Sequence, residues 1–157
     1  MQQKSVFKSI LWVSLFILPF SLFAQVLSPE QFLGYKVGTR FTRHHQIVNY
    51  FTAIAAAKSD MVKLIPYGKT NEGRDLMVAA IGSAENIKNL EQIRKHNLGL
   101  VEGKVQDLNQ PGIVWLSYNV HGNEPASSEA AMLTLFALVD PNNNETKNWL
   151  KNTVVMI

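Results

Sequence analysis

The 157-residue chain contains no cysteine. That absence excludes a disulfide scaffold and a lipid-anchored cysteine, and it leaves folding to the core alone. Charge is sparse as well, at 17% of residues, with no Lys/Arg clusters. The formal charge of +3 overstates the basicity of the folded part. Two of the 15 basic residues, Lys4 and Lys8, lie in a segment expected to be removed, so 13 stand against 12 acidic residues, a net charge of +1. A nearly neutral domain lacks the electrostatic footprint that a phosphate backbone demands, so no nucleic-acid partner is expected. There is no internal repeat and no low-complexity stretch. A hydrophobic content of 46% argues against a disordered tail, and the length holds about one domain.

Residues 1–24 are basic at Lys4 and Lys8 and then apolar from Ile10 to Phe23, interrupted by Ser14, Pro19 and Ser21. Spanning a bilayer takes about 20 apolar residues, and this run is shorter and carries a helix-breaking proline. The pattern is that of a secretory signal peptide cleaved after Ala24, with a membrane anchor as the competing reading. The expected mature chain, residues 25–157, is secreted or periplasmic and has no membrane partner once the signal is removed.

Helical and extended patterns alternate along this chain at the short spacing of an α/β domain. Ile47, Phe51 and Ile54 recur at helical spacing within Arg43–Lys58, behind Thr42 as a predicted N-cap. Val62–Tyr67 and Leu76–Ile81 flank the turn-forming Thr70-Asn71-Glu72-Gly73, which predicts a hairpin, with Pro66 placing the first strand at a sheet edge. A helix is predicted over Ala84–His96, capped by Ser83 and apolar at Ile87, Leu90 and Ile93. Ile113–Tyr118 is apolar on both faces, as in the middle of a covered sheet, which predicts Trp115 to be core. Ala126–Val139 predicts a largely buried helix. A short helix near Thr146–Asn152 leads into Thr153–Ile157, another strand of buried type. Five β-favouring residues without a closing turn suggest the N-terminal part of a longer protein.

Chemistry concentrates after the Ile113–Tyr118 strand, in Asn119-Val120-His121-Gly122-Asn123-Glu124-Pro125. In open α/β sheets the crevice beyond a strand's carboxyl end is where ligands bind. A loop lets an imidazole and a carboxylate two residues apart converge on one cation, while Gly122 leaves room for the backbone to bend. Pro125 suits the first position of the following helix, whose N-terminal dipole favours an anion at the site. Imidazole plus carboxylate suits zinc, which takes three protein ligands in a catalytic site; only two are visible here. Such a metal would lower the pKa of its water and polarise a carbonyl, the two services amide hydrolysis needs. The plainer alternative is a capping carboxylate beside a hydrogen-bonded loop histidine.

Upstream, Gly68-Lys69-Thr70-Asn71-Glu72-Gly73-Arg74-Asp75-Leu76 ends in an arginine at the start of a strand. This order, a Gly-Arg pair opening a strand, then a helix, a central strand and His-x-x-Glu, resembles the zinc carboxypeptidase family, the carboxypeptidase A-type metallopeptidases. The resemblance covers about Phe32 to Ile157. It implies the N-terminal portion of a mixed-sheet α/β/α fold, a Zn²⁺ cofactor and a peptide or protein substrate hydrolysed at its C-terminus. It carries the zinc-ligand role to His121 and Glu124, and a supporting role near the substrate cleft to Arg74. It also implies that a third histidine ligand, the groups gripping the substrate's terminal carboxylate and the general-base glutamate lie outside residues 1–157. His-Gly-Asn-Glu is similar, too, to the motif of aspartoacylase-like deacylases of N-acyl amino acids. A truncated, inactive binding module is the third possibility.

Other polar residues read more plainly. Adjacent on a helix, His44 and His45 point about 100° apart and cannot share a metal, so both are expected at the solvated surface. His96, near a predicted helix end, suits the dipole. Glu72 and Asp75 flank Arg74 as a solvated turn. Ser127-Ser128-Glu129 has no evident base partner and reads as first-turn polar residues.

Overall fold

The computed structural model describes residues 26–157, so the expected signal peptide over residues 1–24 lies outside the described residues. Among the described residues the fold is a four-stranded mixed sheet covered on both faces by helices. A short helix α1 (Pro29–Leu33) opens it, capped by Ser28 in a reciprocal capping box with Gln31. Helix α2 (His44–Ala57) follows, then strands β1 (Val62–Lys69) and β2 (Asp75–Ile81), helices α3 (Ala84–Lys88) and α4 (Leu90–Val101), strand β3 (Gly112–Trp115), helices α5 (Ala126–Val139) and α6 (Asn144–Trp149), and strand β4 (Thr153–Met156). No described helix is long and apolar enough to cross a membrane.

Strand order is β1-β2-β4-β3. β1 and β2 form the predicted hairpin, with Val62 opposite Ile81 and a bulge between Pro66 and Gly68. The bulge accommodates a proline that lacks a ladder donor, and it does so at the edge position expected for Pro66. β4 pairs antiparallel with β2 and parallel with β3. The parallel pair requires a crossover, supplied by α5 and α6.

Alternation along the central strands feeds two cores. Ala79, Ile81 and Val155 join Tyr50, Ile54, Met132, Leu135 and Val139 beneath α2 and α5. Ala80 and Val154 face the other way, against Ile93 of α4, with Ile87, Leu90 and Ile113 around them. Burying a side chain such as Ile81 contributes about 1.5–3 kcal/mol, so both faces of the sheet are anchored by burial. Tyr50 is wholly buried, meets Phe32 edge-on at 5.2 Å, and donates its hydroxyl to the Leu27 carbonyl at 3.0 Å. Burial pushes its phenol above the ordinary tyrosine range, because desolvation penalises the phenolate.

The structure corrects several sequence expectations. Arg43, not Thr42, is the N-cap of α2; the Thr42 hydroxyl is committed to a buried long-range hydrogen bond and cannot cap. The helix predicted over Ala84–His96 is two helices that meet at Asn89, which ends α3 and begins α4. The α4 segment runs on to Val101, which places His96 inside it rather than at its end; a ring nitrogen of His96 meets the Asp107 carbonyl at 2.7 Å. Gly99 lets the following loop close on α4, since a Cβ there would meet Val105 Cγ2 at 2.7 Å.

The strand predicted over Ile113–Tyr118 shortens to Gly112–Trp115, and Trp115 is 62% exposed rather than core. The cause is position: among the described residues β3 pairs with β4 alone, so it lies at the sheet edge with Val114 and Trp115 uncovered. Burial resumes at Leu116 and Tyr118, which pack partly against the α2/α5 core.

Asn86 joins α3 to the end of α6. Its buried side-chain amide donates to the Leu150 carbonyl at 2.8 Å and the Lys151 carbonyl at 3.1 Å. Asn86→Ala leaves both acceptors without that donor and should cost about 1–3 kcal/mol. Asn86→Asp sets acceptor against acceptor and should cost at least as much. Urea unfolding midpoints check both, and an unchanged midpoint would show that water replaces the amide.

Candidate metal centre at the carboxyl end of β3

The turn His121-Gly122-Asn123-Glu124 lies between β3 and α5. The Glu124 N–H donates to the His121 carbonyl at 3.0 Å, closing a four-residue turn. That closure puts the two side chains on one side of the turn, with His121 Nδ1 and Glu124 Oε2 3.2 Å apart. The residue entering the turn region, Asn119, has a φ of 57°. Asparagine is among the few residues that tolerate this left-handed conformation, and it redirects the chain out of the strand here. A Cβ on Gly122 would meet nothing within 4 Å, so the turn projects into open space.

Both side chains are accessible, His121 70% and Glu124 59% exposed. Donor atoms held by a tetrahedral ion at about 2.0–2.2 Å lie roughly 3.3–3.6 Å apart. The spacing of Nδ1 and Oε2, 3.2 Å, is close to that, and imidazole nitrogen with carboxylate oxygen is a donor set suited to zinc. These two residues therefore fit a shared cation. Among the described residues no three His, Asp or Glu side chains cluster as a metal site.

Helix α5 starts directly behind the pair. Pro125 occupies its N-cap with helical angles, one position earlier than expected, and α5 runs from Ala126. The first turn is tied by Ser127 N–H to the Glu124 carbonyl and Ser128 N–H to the Pro125 carbonyl. The amino end of the helix thus points its partial positive charge at the site, which favours an anionic ligand there.

Arg74 reaches the same region from the hairpin. The turn before it is held by Gly73 N–H to the Thr70 carbonyl and Thr70 N–H to the Arg74 carbonyl, both 2.9 Å. Gly73 takes a φ of 77°, which a side-chain-bearing residue rarely adopts. Arg74 borders a cavity of about 610 Å³ whose wall also includes Tyr118, Asn119, Gly122 and Pro125. The structure therefore brings Arg74 to a groove that the turn reaches through Gly122, while the His121 and Glu124 side chains lie outside its lining. Trp115, read from the sequence as core, borders it as well. The Arg74 guanidinium holds Glu72 at 2.6 Å, an exposed ion pair of the kind that costs little to exchange for another carboxylate.

The remaining polar residues divide. His44 and His45 are exposed, as expected, and His44 borders the same groove as Arg74. Glu129 falls in the first turn of α5, as expected, but it is buried, 5% exposed, and accepts from the Gly38 N–H and the Thr42 hydroxyl. Sequence reasoning missed it because its partners lie 91 and 87 residues away, and no local spacing announces them.

A parallel strand followed by a turn that pairs a histidine with a glutamate, within a mixed sheet covered by helices on both faces, defines an α/β domain with a metal-compatible turn. The family model for zinc carboxypeptidase matches residues 47–157, and the chain belongs to that family. The matched range begins later than the Phe32 at which the resemblance starts in the sequence. No curated protein matches the chain. Membership places it in a hydrolase family of metallopeptidases whose cofactor is generally zinc.

The base of the Arg74 hairpin yields a pH prediction. Lys69 Nζ donates to Asp75 Oδ1 at 2.6 Å, and this hydrogen bond, with the lysine charge, holds the Asp75 carboxyl below its ordinary pKa. A depressed carboxyl stabilises the folded state above the ordinary aspartate range, and the contribution disappears as pH falls through the lowered value. Lys69→Met should return the Asp75 pKa toward the ordinary value, measured by carboxyl NMR titration. An unmoved titration would mean that another group sets it.

Proposed function

We propose that this chain is the N-terminal part of a zinc-dependent metallocarboxypeptidase that hydrolyses C-terminal peptide bonds. His121 and Glu124 are two of its zinc ligands. The observation that carries this reading is the closed turn holding His121 Nδ1 and Glu124 Oε2 at 3.2 Å in a chain of the zinc carboxypeptidase family. Zinc, when bound, supplies Lewis acidity toward a carbonyl and makes water nucleophilic near neutral pH.

The chain's own residues do the rest of what is assigned here. His121 and Glu124 hold the cation, with the turn hydrogen bond fixing their relative placement. The amino end of α5 favours negative charge developing beside Glu124. Arg74, across the groove, supports an anionic portion of the substrate after giving up Glu72. The third ligand and the group that moves the proton come from residues beyond those described. The signal-peptide pattern of residues 1–24 supports a secreted or periplasmic location and extracytoplasmic peptide substrates.

One observation favours a second reading, a binding module without hydrolysis: two candidate ligands, not three, come together among the described residues. Equilibrium dialysis of residues 25–157 against Zn²⁺ addresses it. Tight stoichiometric binding by that segment alone would mean that it holds a full ligand set, contrary to the two-ligand assignment.

In a protein carrying the complete catalytic domain, His121→Ala should remove zinc from the protein and reduce peptide hydrolysis by several orders of magnitude. Glu124→Gln should weaken zinc retention in the same direction. Metal content by atomic absorption and release of the C-terminal residue check both, and retained zinc with retained activity would overturn the assignment. A substrate panel of peptides against N-acyl amino acids should show turnover of peptides; exclusive deacylation would instead identify an aspartoacylase-like enzyme.

A further inference from the structure

Glu129 sits at a place in α5 where an apolar side chain would be cheaper. Its neighbours along the buried face are Met132 and Leu135, wholly buried, and desolvating a carboxylate costs several kcal/mol unless its lone pairs are used. They are used: Oε2 accepts from the Gly38 N–H at 2.6 Å and Oε1 from Thr42 Oγ1 at 2.5 Å. With the single Thr42 hydroxyl proton given to Glu129, the 2.8 Å contact between Tyr35 and Thr42 is a donation from the Tyr35 hydroxyl. Tyr35, Thr42 and Glu129 form a directed chain that ends on the carboxylate.

What this chain fixes is the segment Gly38–Phe41. With Glu124, Pro125, Ala126 and Glu129 it lines an open cavity of about 650 Å³, within the roughly 300–1,000 Å³ typical of ligand pockets. Glu124 is thus shared by the candidate metal pair and by this cavity. Within the segment, Arg40 also borders the cavity, but its guanidinium lies over the Tyr35 ring, 4.4 Å from the centroid. Phe41 is the large apolar side chain on the cavity wall, 81% exposed. An aromatic held in water opposite Pro125 and Ala126 gains its burial only when something apolar enters between them.

We propose that Gly38–Phe41 is a wall of the substrate site, that Phe41 is its apolar specificity contact, and that Glu129 is the positioning residue that sets the wall beside Glu124. This rests on the peptidase reading above. Glu124 would help hold a metal able to polarise the scissile carbonyl, which belongs to the penultimate residue of a C-terminally cleaved peptide. A wall adjoining Glu124 therefore faces that residue's side chain, and an apolar one fits it.

The test uses the protein with its complete catalytic domain and two peptides that differ only in carrying leucine or serine at the penultimate position. The wild-type protein should prefer leucine. Phe41→Ala and Glu129→Gln should each lower the leucine-to-serine ratio of kcat/KM by about tenfold, the scale on which apolar pockets discriminate. The loss should lie in KM for the leucine peptide, with zinc content at the wild-type level. A ratio preserved in Phe41→Ala would overturn the proposal, and because Phe41 is exposed this variant remains informative if Glu129→Gln does not fold. An equal fall for both peptides in Glu129→Gln would make Glu129 merely structural and remove it from the proposal. A wild-type protein that cleaves neither peptide would overturn the peptidase reading itself; one that cleaves both with unaltered selectivity in the variants would overturn this inference alone.

Discussion

Strand β4 lies between β2 and β3, so among the described residues the ladder joining the Arg74 hairpin to the strand that presents His121 and Glu124 runs through Thr153–Met156. Those residues, extended by the reciprocal Ile157–Ala79 backbone pair, carry that junction, and Val154 and Val155 have to serve both faces of the sheet at once. Val154 is fully buried against Ala80 and Ile93, and Val155 against the α2/α5 core. Parallel pairing of β3 with β4 in turn requires a crossover, so α5 must leave from the carboxyl end of β3 and return. The candidate site is at the start of that crossover. Its location is therefore a consequence of where β4 inserts.

Much of this framework is legible locally. The hairpin reads from its turn residues, because Gly73 and Thr70 meet demands set within a few residues. Helix α5 was readable with its bounds, since a long apolar run has few other solutions. Legibility fails where a distant partner decides. Thr42 has the right chemistry for an N-cap, but Glu129 claims its hydroxyl. Apolar Trp115 suggests a central strand, yet whether a strand is central depends on how many neighbours pair with it, and β3 has one among the described residues. The break at Asn89 is of the same kind: Ile87, Leu90 and Ile93 keep helical spacing across it, so the periodicity alone cannot register that the chain changes helices.

The candidate site divides along the same line. The His121–Glu124 pair was legible because the turn that assembles it is closed by its own first and last residues. Arg74 was legible as an arginine at the hairpin turn, though β2 starts one residue later at Asp75; that it borders the same groove as Tyr118 and Gly122 depends on the sheet. Glu129 was not legible at all. Five residues after Glu124 in the same short stretch, it has the same side chain and the opposite environment, and only the fold distinguishes them.

That contrast explains how two carboxylates can serve one site without competing. A buried carboxylate with both oxygens engaged by Gly38 and Thr42 is fixed, since releasing either partner would strand charge in a low-dielectric interior. Such a group is poorly placed to bind a ligand and well placed to hold a loop. An exposed carboxylate whose partner is the His121 imidazole at 3.2 Å loses little by exchanging that contact for a cation. Helix α5 joins the two as a rigid spacer, so the accessible pair and the tethered wall keep a constant separation. A chain without disulfides obtains from this buried tether the local rigidity that a cross-link would otherwise give the loop.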